Sequence, residues 1–199
     1  MVNKKEKKEK KEVKVIIGMP CTEMMKSKTA HAISCLTIGD PTIIDFLMMQ
    51  SCDISSSRMW LVKQAIKKEA THLLFVDSDM LFPTNTLTKL LARDKDIIGV
   101  EYNKRKFPLE TVTAYLPNIE KSETEPFKVG VAGTGVMLIK LSLFSDPKLD
   151  KNWFSFGRNA EGENVIGEDG WFCNTARDAG YDVWIDPTIK VLHLGEYGY

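Results

Sequence analysis

An α/β fold, with a mainly parallel central sheet flanked by helices, is what three features of this 199-residue sequence predict. Short apolar runs alternate with amphipathic stretches in the order βαβαβ, the order that generates parallel sheets. The strand candidates are apolar almost throughout rather than at every second residue, as in strands covered on both faces. Between them, apolar residues recur at helical spacing, with lysines on the opposite side.

The elements follow in order. Val13 to Met19 is a β-branched run that stops at Pro20, as a buried strand entering a loop would. From Ser57 the pattern is helical: Leu61, Val62, Ala65 and Ile66 share one face, and the preceding serine run offers an N-cap. Thr71 to Val76 is too short for a helix and ends continuously apolar, so it reads as a buried strand that delivers Asp77, Ser78 and Asp79. After Pro83, Leu87, Leu90 and Leu91 mark a second helix, and Asp96 to Val100 a further strand. Pro108, Pro117 and Pro126 break up residues 106–128, where loops and edge strands are expected. Gly133-Thr134-Gly135 then leads into a strand over Val136 to Ile139. A helix from Gly167 to Ala179 turns Phe172, Cys173 and Ala176 inward and closes at Gly180, and two short strands end the chain.

Composition narrows the function. A hydrophobic share of 43% and a charged share of 27% are those of a globular protein, not of a disordered or fibrous one. Six of the 27 basic residues lie in Met1 to Glu12, which is expected to be a charged, disordered leader ahead of one compact domain over 13–199. The remainder carries 21 basic against 24 acidic groups, so nucleic acid is a weakly supported partner. No apolar run approaches the roughly 20 residues of a membrane span, and no export signal is visible, which points to a cytoplasmic protein. Cys21, Cys35, Cys52 and Cys173 form no C-x-x-C pair and are expected to be free thiols, most of them buried.

Asp77 and Asp79, two positions apart at a strand end, can face the same side and share a divalent cation such as magnesium or manganese. Two charges at the rim of a buried sheet are costly unless something pairs with them. Short acidic pairs also occur in ordinary surface turns.

The segment "ATHLLFVDSDMLFPTNTLTKLL", followed in order by "GTGVMLIK", "GEDGWFCNTARDAGYDVWIDP" and "VLHLG", resembles the GT-A-fold (nucleotide-diphospho-sugar transferase) glycosyltransferases. The likeness is to short, family-2-like enzymes of phages and other viruses, which would place the protein in a host cytoplasm. It spans roughly Val13 to Gly195.

The resemblance implies roles residue by residue. Asp77 and Asp79 match the D-x-D pair that holds Mn2+ or Mg2+ on the donor diphosphate, and His193 matches the histidine completing that site; imidazole suits manganese better than magnesium. Pro20, Cys21 and Thr22 occupy the loop that receives the nucleotide base, although Cys21 departs from the polar or aromatic residue commoner there. Arg58 matches an arginine near the nucleotide, where it would pair with phosphate or base. Gly133, Thr134 and Gly135 resemble the wall of the sugar pocket, with a tight turn as the plainer reading. Glu168 and Asp169 match the acceptor-side pair whose aspartate is the general base, though carboxylates in a first helical turn are also favoured by the macrodipole. Trp171, Phe172 and Trp184 are expected to fill the core or form a sugar platform.

The implied activity is metal-dependent transfer of a hexose from a nucleotide-diphosphate donor, expected to be UDP-linked, to a hydroxyl acceptor on a glycan, another molecule or a modified DNA base. Inversion is expected, with retention as the alternative. A nucleotidyltransferase would carry a glycine cluster directly after the first strand, which "GMPCTEMMKSK" lacks. A non-catalytic nucleotide-sugar or glycan-binding module is the third reading.

Overall fold

The computed structural model describes residues 12–195; the expected leader lies outside them except for Glu12. Strands β1 (Val15–Cys21), β2 (Ile43–Gln50), β3 (His72–Val76), β5 (Ile97–Gly99), β6 (Phe127–Val129), β7 (Val136–Lys140) and β10 (Val183–Ile185) form one sheet in the order β2-β1-β3-β7-β5-β10-β6. β1, β2 and β3 run together, β7 is antiparallel to β3 and β5, β10 is parallel to β5, and β6 returns antiparallel at the edge. Five of the seven strands therefore point the same way.

Helices α1 (Ser27–Gly39) and α3 (Thr86–Ala92) cover one face of this sheet, and α2 (Ile54–Lys67) and α4 (Glu168–Asp178) the other. Alternate strand residues supply the two cores. Leu73 and Phe75 pack with Leu61, Val62, Phe172 and Ala176, while Leu74 and Val76 pack with Ile33, Leu36, Leu87 and Leu90. This two-sided burial is why the strands read as continuous apolar runs.

Three smaller elements finish the fold: β4 (Met80–Leu81) pairs antiparallel with β11 (Leu192–His193), and β8 (Gly157–Arg158) with β9 (Asn164–Ile166) in a hairpin just before α4. No helix among the described residues is long and apolar enough to cross a membrane.

The structure differs from the periodicity-based reading in four places. α1 and β2 have no counterpart in it, because α1 mixes Ser, Thr and His into a weak stripe without a side-chain cap and β2 is a half-exposed edge strand. The cap of α2 is Asp53, which accepts from the amides of Ser55 and Ser56, so the helix starts three residues before Ser57. Of the cysteines, Cys21 and Cys173 are buried, but Cys35 is half-buried and Cys52 exposed. Trp171 and Trp184 are not core residues: Trp171 donates to the Asn152 carbonyl, and Trp184 lies under Lys95 and Lys128.

The end of α4 behaves as its sequence predicts. Gly180 takes a positive φ of 98°, and its amide and that of Tyr181 return to the Arg177 and Ala176 carbonyls.

Candidate active site

The carboxyl ends of β1 and β3 open into a cavity of about 790 Å³. Its wall brings together Pro20 and Cys21, which the structure places in the last residues of β1 and not in a loop after it, Thr22 just beyond, Lys26 and Ser27 at the start of α1, Asp77 and Asp79 after β3, and Arg105 and His193 from distant segments. A ligand site outside the strand carboxyl ends is what an open α/β sheet affords.

The Asp77–Asp79 turn is braced on three sides. The Asp77 amide donates to the Gly135 carbonyl at 2.9 Å, Lys26 donates to the Ser78 carbonyl at 2.9 Å, and Leu194 donates to the Asp79 carbonyl at 2.7 Å. Pairing of β11 with β4 sets His193 opposite Met80, and this register carries the imidazole to Asp79, with Nε2 3.4 Å from Oδ1. His193 Nδ1 lies 3.0 Å from the Asn103 carbonyl oxygen. A carbonyl only accepts, so Nδ1 carries a proton, and Nε2 is the nitrogen that faces Asp79.

Asp79 and His193 thus fit a divalent cation: one hard oxygen ligand and one imidazole with its second nitrogen tied to a carbonyl, as metal-bound histidines usually are. Among the described residues no closed group of three His, Cys, Asp or Glu side chains is assembled. Asp77 is turned to Arg58 instead, and Arg105 Nη1 sits 2.8 Å from Asp79 Oδ2. Burial pushes the Asp79 carboxyl up, but the hydrogen bond and charge of His193 and the charge of Arg105 outweigh it, leaving the group below its ordinary value.

Arg58 is placed differently from its sequence expectation. It is only 2% exposed and lies beneath the cavity rather than on its wall. Its Nη2 donates to Asp77 Oδ1 at 2.9 Å and its Nε to Glu168 Oε1 at 3.2 Å, over the face of Phe75. Burial opposes its charge, yet Asp77 and Glu168 more than offset that and raise its pKa. One guanidinium therefore ties the D-x-D turn to the first turn of α4. Its Nη1 is buried without a hydrogen-bond partner among the described residues.

Glu168 and Asp169 stand at the start of α4, outside the cavity wall but joined to Asp77 through Arg58. Burial, and next the charge of Glu168, raise the Asp169 pKa, although its Oδ1 accepts from the Gly170 amide at 2.7 Å. The two neighbours thus divide: Glu168 is ion-paired to Arg58, and the Asp169 carboxyl is raised above its ordinary value.

Gly133, Thr134 and Gly135 also lie off the cavity wall, and Thr134 is buried. The glycines are required by Tyr102, three residues beyond β5. A Cβ on Gly133 or Gly135 would meet the Tyr102 hydroxyl at 2.4 or 2.5 Å, and that hydroxyl accepts from the Gly135 amide at 2.9 Å. Tyr102 in turn meets His193 edge-on at 5.5 Å between ring centroids. Its position after a strand carboxyl end was the available signal.

No protein-family model matches the chain, and no curated protein matches at a significant level. Solved structures do. A197 from STIV superposes with a TM-score of 0.68 at 17% identity, over 92% of this chain and 86% of that one. GalNAc-T7, crystallised with UDP, GalNAc and Mn2+, gives 0.56 at 10% identity, over 94% of this chain and 44% of its own. Residues 1–349 of S. aureus TarS give 0.54 at 17%, over 88% and 58%. The chain thus spans most of A197 but well under two thirds of the other two. The fold is that of the GT-A glycosyltransferases.

Proposed function

We propose that this protein is a metal-dependent glycosyltransferase that moves a sugar, expected to be a hexose, from a nucleoside-diphosphate donor to a hydroxyl acceptor. The observation that carries the reading is Asp79 beside His193, 3.4 Å apart at the carboxyl end of the sheet, with the histidine's far nitrogen held at the Asn103 carbonyl. UDP is the expected nucleotide, since GalNAc-T7 was crystallised with UDP and TarS has been crystallised with UDP too.

The base would lie toward Pro20, Cys21 and Thr22, and the diphosphate between Asp79 and the first turn of α1. That helix start has no side-chain cap, so its amides and Lys26 suit an anion. Asp79 and His193 would hold a divalent cation, Mn2+ or Mg2+, and Asp77 adds negative charge at the same rim. When bound, the cation supplies Lewis-acid neutralisation of charge building on the leaving diphosphate.

Asp169 would take the acceptor hydroxyl proton as that oxygen attacks the sugar carbon, giving inversion at that carbon. Its raised pKa makes it a better base than an ordinary surface carboxylate. Arg58 would hold Glu168 in its ion pair, leaving Asp169 to take the proton.

Incubation with Mn2+ and a panel of nucleotide sugars tests the reading. Release of free nucleoside diphosphate supports it; pyrophosphate release from nucleoside triphosphates would indicate a nucleotidyltransferase, and binding without turnover a module. Asp79→Ala should abolish Mn2+-dependent donor binding with little loss of stability, because a rim carboxylate contributes little to the core. Unchanged Mn2+-dependent affinity in that variant would remove the site.

A further inference from the structure

We propose that Arg105 couples cation binding to diphosphate binding: it holds Asp79 before the donor arrives, and exchanges that carboxylate for the donor diphosphate when cation and nucleotide enter together. The inference rests on reading Asp79 and His193 as the cation ligands.

Residues 103–111 form a flap that brings Arg105 to the cavity wall. Asn103 bridges Thr111, the Lys104 amide donates to the Glu110 carbonyl at 2.8 Å, and the Val112 amide closes the base on the Tyr102 carbonyl at 3.0 Å. The base is anchored in the site itself, through the Asn103 carbonyl on His193 and the Tyr102 ring against the same imidazole. Of the three consecutive basic side chains on the arm, Lys104 and Lys106 both turn back to Glu110, at 3.4 and 2.8 Å. Arg105 reaches off the flap to Asp79. Its side chain is 51% exposed, so the guanidinium can swing about its own torsions while the anchored base stays still.

Asp79 has two oxygens, and each is engaged. Oδ1 faces His193, and Oδ2 faces Arg105. A bare divalent cation entering between Asp79 and His193 would compete with Arg105 for the carboxylate and meet its positive charge at close range. A cation arriving with a diphosphate brings an alternative partner, whose paired oxygens match the two-pronged guanidinium. Arg105 therefore opposes the cation alone and favours the cation with diphosphate. By linkage, each ligand then strengthens the other by the same factor.

The test uses the full 199-residue chain. Mn2+ affinity is measured by electron paramagnetic resonance without nucleotide, and UDP, GDP and CDP affinities by calorimetry at saturating Mn2+; thermal midpoints confirm folding. Wild type should bind Mn2+ weakly alone and more tightly with one of the nucleotides. Arg105→Gln should bind Mn2+ alone several-fold more tightly and that nucleotide about 10-fold or more weakly, the loss expected for a charge-assisted hydrogen bond. Arg105→Lys keeps the charge without the fork, so it should retain weak Mn2+ binding and lose part of the nucleotide affinity. Mn2+ affinity that is equal or weaker in Arg105→Gln, or nucleotide affinity unchanged, overturns the role of Arg105 while leaving the donor site intact. Wild type in which none of the three nucleotides strengthens Mn2+ binding overturns the donor-site reading and this inference together.

Discussion

Two explanations of Asp169 predict opposite changes in stability, which makes it the sharpest single-residue test. If it only complements the α4 dipole, Asp169→Asn should cost about 0.3–1 kcal/mol and leave transfer intact. Its half-buried setting beside Glu168 argues otherwise, because that setting raises the folded pKa above the ordinary value. A carboxyl raised on folding gives its full contribution below the unfolded pKa and loses it as pH rises through the folded pKa. Asp169→Asn should therefore gain stability relative to wild type between acid and neutral pH, while transfer falls by roughly 10²–10⁴-fold. Wild-type transfer should rise as pH passes through the raised pKa. Thermal midpoints at pH 4 and pH 7.5, with single-turnover transfer to a known acceptor, decide it. A lower midpoint with near-normal transfer would return Asp169 to the helix-end role and make Glu168 the next candidate. At this scale, chain position identified the acidic pair, but which member is neutralised by an ion pair depends on Arg58, 110 residues away from Glu168.

Among the elements, the decisive link is one side chain of α2 that joins the end of β3 to the start of α4. Arg58→Met keeps the bulk but strands Asp77 and Glu168. Loss of one partner of a buried pair typically costs about 3–5 kcal/mol, and the lower end applies because Asp77 is a quarter exposed and partly screened by water. Adding Glu168→Gln should recover part of that loss. Urea unfolding of the two single variants and the double variant measures the coupling, and additive effects would show that the bridge is not held in solution. The helical period put Arg58 near the start of a helix but could not tell a nucleotide contact from a buried strut. Periodicity also passed over α1 and β2, whose stripes are diluted by polar residues and half-exposure, and placed the α2 start at the serines because the Asp53 cap acts from outside the helix.

For the whole molecule, the charge split yields a separate prediction. Deleting Met1 to Glu12 should leave donor hydrolysis unchanged, because a lysine–glutamate segment cannot build a packed core. Steady-state hydrolysis by the truncated and full chains compares them, and a large loss would tie the leader to the donor site. The fold class was decided by the sequence alone, since a strand buried on both faces must be apolar throughout and a helix covering it must repeat at 3.6 residues, and both signals are local. Asp77 and Asp79 were legible for the same reason: charges that end an apolar strand stand out. The resemblance had set His193 with Asp77 and Asp79, and tertiary structure decided that Asp79 is its partner while Asp77 goes to Arg58. His193 reaches Asp79 through a two-residue pairing of β11 with β4, Arg105 arrives on a flap, and the Gly133-Thr134-Gly135 turn is small because Tyr102 fills the space above it. These are contacts between residues far apart in sequence, made by elements too short to have a period, so no local pattern could encode them.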